Sequence, residues 1–157
     1  GCVLLAPMIL VEKPPAWQMP FLELLAAVPG LRSVGLLSPA GLASEKQYRD
    51  PERRAVCDND PLGYHGKMCL ATGKALLTAS LELEALLSGI STPFLCGHGD
   101  ADEIVSLEGS KLLLQQASTQ DKTLSVYPNM LHAPLCEFPE VRSKVEQEIL
   151  SWLRERV

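Results

Sequence analysis

The 157-residue sequence has no cluster of lysine and arginine. Its 14 basic and 19 acidic residues give a net charge of −5, with the signs mixed along the chain. A nucleic-acid surface needs clustered cations, so that class of partner is set aside. The nearest approach to a charge run, "EKQYRDPERR" (Glu45–Arg54), alternates in sign and reads as a solvated face. No apolar run is long enough to cross a bilayer. No secretory leader is visible: "GCVLLAPMIL" lacks a basic start and a small-residue cleavage site. There is no initiator methionine either, and the chain opens in what reads as the middle of a strand, so a fragment of a longer protein is expected.

No CxxC pair exists among the five cysteines at positions 2, 57, 69, 96 and 136. An odd number at irregular spacing does not suggest a disulfide framework. The three histidines do not complete a zinc-finger pattern. The cysteines read as free thiols packed as small apolar groups in a reducing compartment, which gives a cytoplasmic expectation and no metal.

What is present is enough apolar material, 46 % of residues, for one domain or one domain with an insertion. Cys2–Ala6 is a short apolar run ended by Pro7, as in a buried parallel strand. "FLELLAAVPG" (Phe21–Gly30) has helical content and a Pro-Gly stop. Residues 31–68 are irregular, with Pro39, Pro51 and Pro61 and several glycines. Residues 8–70 therefore read as a lid of short helices and long loops. From Thr72 to Leu87 the spacing turns helical, with Ala75, Leu76, Ala79, Leu83, Leu86 and Leu87 on one stripe. "PFLCGHG" (Pro93–Gly99) reads as a strand, residues 107–118 as a helix, and "TLSVYP" (Thr123–Pro128) as a strand. In that second strand Leu124, Val126 and Pro128 alternate against Thr123, Ser125 and Tyr127. The last helix, Glu140–Arg156, carries Val141, Val145, Ile149, Trp152 and Leu153 on one stripe, with charges that suit the helix dipole. Strands alternating with helices imply an α/β fold with a short parallel sheet.

In such sheets, reactive groups gather at the C-terminal ends of the strands. After Pro93–Gly99 come Asp100, Asp102 and Glu103, and after Thr123–Pro128 comes His132. Adjacent strands lie about 4.8 Å apart, close enough for a carboxylate in one loop to meet the imidazole in the next. A carboxylate on one ring nitrogen fixes the tautomer and supports the charge gained when the other nitrogen takes a proton. The order acid then histidine is that of Ser-His-Asp α/β-hydrolases. An Asp after a strand also serves as a turn former or helix cap, and a loop histidine also serves in packing.

"LLAPM" (Leu4–Met8), "FLCGHGDADEIVS" (Phe94–Ser106), "DKTLSVYPNMLHAPL" (Asp121–Leu135) and "ILSWLRERV" (Ile149–Val157) together resemble the C-terminal half of a monoacylglycerol lipase-type α/β-hydrolase, a serine aminopeptidase S33-like hydrolase domain. The likeness includes the plant-type lipases with caffeoylshikimate esterase. "RDPERR" (Arg49–Arg54) and "NDPLGYHGKMCLATGKALLTASLELE" (Asn59–Glu84) are similar to that family's cap and the helix after it. The resemblance implies three parts: a core strand at 1–7, a cap at 8–70, and a core at 71–157. It implies Asp102 as the triad acid and His132 as the base, with Asp100 a turn residue, His98 structural and His65 in the cap. It also implies a carboxylic ester or lipid substrate and no cofactor. The pocket residues it suggests are Met8, Trp17, Met19, Phe21, Leu24, Leu25 and Leu131, and the cap's apolar face could also meet a membrane surface.

The chain departs from the family in one decisive way. The nucleophile belongs in a GxSxG elbow before the "APM" strand, and none of the serines, Ser33, Ser38, Ser80 and Ser106 included, has the flanking glycines. The nucleophile and the oxyanion donors are thus expected upstream of Gly1, and the isolated chain is expected to be incomplete or inactive as an esterase. The alternative is a non-catalytic truncated paralogue that binds a lipid or a partner.

Overall fold

The computed structural model describes residues 1–11, 13–31, 33–37 and 44–156. Ser38, Pro39 and Val157, which figure in the sequence reading, lie outside them.

Three parallel strands form the main sheet in the order β1-β4-β5: β1 (Cys2–Leu5), β4 (Phe94–Gly99) and β5 (Lys122–Tyr127). Cys2 to Leu5 pair with Phe94 to Gly97, and Phe94 to Gly99 pair with Lys122 to Tyr127. The central strand β4 is buried at all six positions. β1 was expected to be buried on both faces. Among the described residues it has a strand on one side only, and Val3, Leu4 and Leu5 are half-buried.

Apolar periodicity explains what covers the sheet. On one face, Phe94 and Cys96 of β4 pack with Ile9, with Leu87, which follows α4 (Leu70–Leu86), and with Leu113 of α5 (Leu107–Gln116). On the other, Tyr127 and Leu5 pack against Val141, Val145 and Ile149 of α6 (Pro139–Arg154). The Ser106 hydroxyl accepts from the Glu108 N–H and caps α5, and Pro139 opens α6 at a position whose N–H is not needed.

Three expected faces are corrected. On α4, Leu76 and Leu86 are exposed, while Ser80 is buried and donates to Ile9 O at 2.5 Å. On β5, Val126 is exposed and Tyr127 is buried, because its ring lies toward α6 and its hydroxyl donates to Glu148 at 2.9 Å. On α6, Leu153 is exposed, while Val145 and Trp152 are buried.

Between β1 and α4 the chain forms α1 (Met19–Ala27), α2 (Ser44–Gln47), α3 (Pro51–Asp58) and a small antiparallel pair, β2 (Gly35–Leu37) with β3 (Met68–Cys69). That second sheet was not expected. α3 is capped by Asp50, whose carboxylate accepts from the Glu52 N–H at 2.9 Å. No helix among the described residues is long and apolar enough to cross a membrane.

Candidate active site

Pairing β4 directly with β5 brings the two following loops together. Asp100 stitches them, its Oδ1 accepting from the Asn129 N–H at 2.6 Å. Asn129 takes a left-handed φ of 58°, which its short polar side chain tolerates. At Gly99 the loops come so close that a Cβ would strike the carbonyl oxygens of Met130 and Leu131, so a glycine is required there for close approach.

Of the three carboxylates after β4, Asp102 alone meets the histidine. His132 Nδ1 donates to Asp102 Oδ2 at 2.9 Å. Glu103 points outward and pairs with Lys46 at 2.7 Å. The Asp102 side chain is fully buried, while His132 is 27 % exposed. Burial alone would push the Asp102 carboxyl up. Hydrogen bonds from the rings of His132 and His98 and from the Val105 and Ile104 amides outweigh it and hold the group well below the usual carboxylate range. Asp102 therefore stays charged at neutral pH.

The two carboxylate oxygens divide the work. Oδ1 accepts from the Ile104 and Val105 N–H groups at 2.8 and 3.0 Å. Oδ2 accepts from His132 and lies 3.3 Å from His98 Nε2. His98 is wholly buried, and its Nδ1 is 2.7 Å from the Ser110 hydroxyl. Its Nε2–H is shared between Asp102 and Val105 O, and its Nδ1 accepts from Ser110. The Ser110 oxygen in turn accepts from the Cys96 thiol at 3.4 Å. This chain fixes one tautomer of His98 and makes it a second donor to the acid, a role the sequence reading of His98 as structural left undefined. His65 lies elsewhere, exposed, with Nε2 2.9 Å from Asp60 O.

With Nδ1 committed to Asp102, His132 Nε2 is free to take or give a proton. Among the described residues, no hydroxyl is hydrogen-bonded to Nε2. Ser80 is buried on Ile9 and Ser106 caps α5. No group of three or more His, Cys, Asp or Glu side chains among the described residues could hold a metal ion.

A cavity of about 750 Å³ opens beside the acid loop, within the range of small-molecule sites. It is walled by α1, α4 and the stretch Asp102–Ser106. Of the pocket residues suggested by the sequence, Met8 and Met19 line it. Trp17, Phe21 and Leu24 are more than half exposed, and neither they nor Leu25 and Leu131 line it. On α1 the inward stripe is Met19, Leu22 and Glu23, at spacings of three and four, so Phe21 and Leu24 face away. Leu10, Met68, Leu70, Leu77 and Ile104 also line the cavity and were missed.

The family described as "serine aminopeptidase, S33" matches residues 1–139. The monoglyceride lipase of Rattus norvegicus is 31 % identical over 159 residues, covering 100 % of this chain and 51 % of the rat protein. The caffeoylshikimate esterase of Arabidopsis thaliana is 28 % identical over 129 residues, covering 82 % of this chain and 39 % of its own length. The crystal structure of Paleococcus ferrophilus monoacylglycerol lipase superposes with a TM-score of 0.81 at 22 % identity, covering 99 % of this chain and 58 % of that one. The fold is thus that of the α/β-hydrolases. The chain spans about half the length of the relatives named monoglyceride lipase that it matches.

Proposed function

We propose, from the premise that the chain belongs to the serine aminopeptidase S33 family, that it supplies the acid, the base and much of the substrate pocket of a serine hydrolase acting on lipid-type carboxylic esters. The observation that carries this reading is the His132–Asp102 contact of 2.9 Å on a fully buried carboxylate, beside a largely apolar cavity. In this reading 8–70 is the cap, between the core segments 1–7 and 71–157, and the nucleophile is a serine outside these residues.

The serine hydroxyl attacks the ester carbonyl while His132 Nε2 takes its proton. His132 then gives that proton to the departing alcohol. Water next attacks the acyl-enzyme with His132 again as base, releasing the acid and regenerating the serine. Throughout, Asp102 holds His132 in the Nδ1–H tautomer and stabilises its charged form. The cavity takes the acyl chain of a monoacylglycerol or lysophospholipid. Trp17, in the helical turn just before α1, and Phe21 and Leu24 on α1 are exposed apolar side chains suited to a lipid surface, and the setting proposed is cytoplasmic with peripheral membrane contact.

The test is to extend the polypeptide upstream until it includes a GxSxG segment and to assay it on short and long acyl esters. Ester hydrolysis that vanishes in His132→Ala is expected, and full activity in that variant would remove the triad assignment. The second reading, a non-catalytic lipid- or partner-binding protein, is favoured by the absence of a hydroxyl on His132 Nε2 among the described residues. Stoichiometric labelling of the 157-residue chain by a serine-reactive fluorophosphonate would defeat it.

A further inference from the structure

The His132 ring is fixed at one nitrogen only, so the backbone of its loop must supply the rest of its placement. Besides the bonds that tie it to the acid loop, Asp100 to the Asn129 N–H and the Ala101 N–H to Met130 O, this loop is held on either side of His132 by bonds that converge on a short segment far away in sequence. Leu131 N–H donates to Glu137 Oε1 at 2.8 Å. Glu137 Oε2 lies 3.4 Å from Arg49 Nε, and the same guanidinium donates through Nη2 to the carbonyl of Asn129. Ala133 N–H donates to Gln47 O at 3.2 Å. Positions 129, 131 and 133 are thus all tied, directly or through Glu137, to residues 47–49.

We propose that Arg49 is a positioning residue for the base: with Glu137 it forms a latch that couples the segment leading into α3 to the loop that carries His132. The proposal rests on reading His132 as the base. The chemistry of the latch is specific. The Glu137 side chain is only 3 % exposed, so its charge is costly unless paired. Its two oxygens divide between an amide beside His132 and the guanidinium. Arg49 spans two partners because its planar guanidinium sets Nε against the Glu137 carboxylate while Nη2 donates to Asn129 O, which a lysine ammonium on one stem does not reproduce. The consequence is mechanical. A movement of α2 and α3, the part of the chain read as cap, is transmitted to the residues flanking His132 with no contact to the ring itself.

The test reads amide hydrogen exchange and the low-field Nδ1–H resonance of His132 by NMR on this chain, in Arg49→Ala, Arg49→Lys, Glu137→Ala and the double variant. Arg49→Ala should speed exchange at Leu131 and Ala133 by about tenfold, the scale of one lost hydrogen bond, and broaden the His132 resonance. Amides of β4 should keep their wild-type rates. Arg49→Lys should recover part of the protection. In the Glu137→Ala background, Arg49→Ala should add little at Leu131, because the carboxylate that protects that amide is already gone.

Unchanged exchange at both amides, additive effects at Leu131, or β4 amides accelerating in step with the loop would each overturn the latch. If Arg49→Ala does not fold, Arg49→Lys against wild type makes the same comparison. These readouts need no turnover. Were the upstream-extended polypeptide inactive while the latch variants still loosened Leu131 and Ala133, the tie between Arg49 and the loop would stand, and its role in placing a base would fall with the hydrolase reading. In an active extended polypeptide, Arg49→Ala should lower kcat with KM unchanged.

Discussion

Replacing Asp102 by Asn separates what its two oxygens do. The new side chain can keep its oxygen where Oδ1 accepts from Ile104 and Val105, at 2.8 and 3.0 Å. Its NH₂ then stands where Oδ2 was, facing two ring N–H donors, His132 Nδ1 and His98 Nε2. Donor cannot face donor. His98 can fall back on Val105 O, 3.2 Å away, but His132 must move its proton to Nε2 to accept at Nδ1. The proposed base then presents a proton where the proposed reaction needs a lone pair. The stability cost is that of the charge-assisted bonds at Oδ2, about 1–3 kcal/mol. Asp102→Ala also strands the Ile104 and Val105 amides and should cost at least about 2 kcal/mol more. Urea unfolding gives the stability order, and nitrogen-detected NMR of the His132 ring gives the tautomer. Wrong-tautomer variants of this kind lose about 10⁴ in kcat, which an upstream-extended polypeptide would show. A His132 that keeps its proton on Nδ1 in Asp102→Asn, or equal stability of the two variants, would refute the reasoning.

Because the Asp102 carboxyl is held below its ordinary value, the folded state binds its proton later than the unfolded state. Its contribution is present above the unfolded carboxylate value of about 3.9 and is lost as pH falls through the lower folded value. Acid titrations of stability should therefore be flatter in Asp102→Asn. Gly99→Ala should cost about 1–3 kcal/mol by overpacking, since its Cβ meets backbone of Met130 and Leu131, and should disturb the His132 resonance. Leu113→Ala, at a site 2 % exposed between α5 and the sheet, should cost about 2–5 kcal/mol in urea unfolding with no change at His132. Each methylene added to an acyl ester should raise kcat/KM of the extended polypeptide by up to about fourfold until the cavity is full, and Met19→Asp on the cavity wall should flatten that trend.

The order of strands and helices was legible because apolar spacing changes cleanly between them, and the acid and histidine loops followed from that order. Other features carried no local signal. The sequence "MPFLELLAA" of α1 puts Met19, Phe21, Leu22, Leu24 and Leu25 around most of the helix circumference. Nothing in it says which side meets the cavity, so the outward residues were chosen with the inward ones. β2 and β3 have three and two residues, too few for an alternation to register. On β5, Leu124 packs on the core while Val126 on the same face is exposed and Tyr127 on the other is buried, so strict alternation misassigned Val126 and Tyr127; the hydroxyl of Tyr127 is buried on a partner, Glu148, that no local pattern reveals. Nothing local marks Glu137, in its proline-flanked loop, as buried. It is buried only because Arg49, far off in the chain, and the Leu131 amide satisfy it.

The role proposed for His132 is that of a proton-transferring base oriented by Asp102. The most direct measurement is the kcat and KM of the upstream-extended polypeptide and its His132→Ala variant on a monoacylglycerol. A fall in kcat of about 10³-fold or more with KM little changed is the predicted result. Retention of wild-type kcat in that variant would contradict that role.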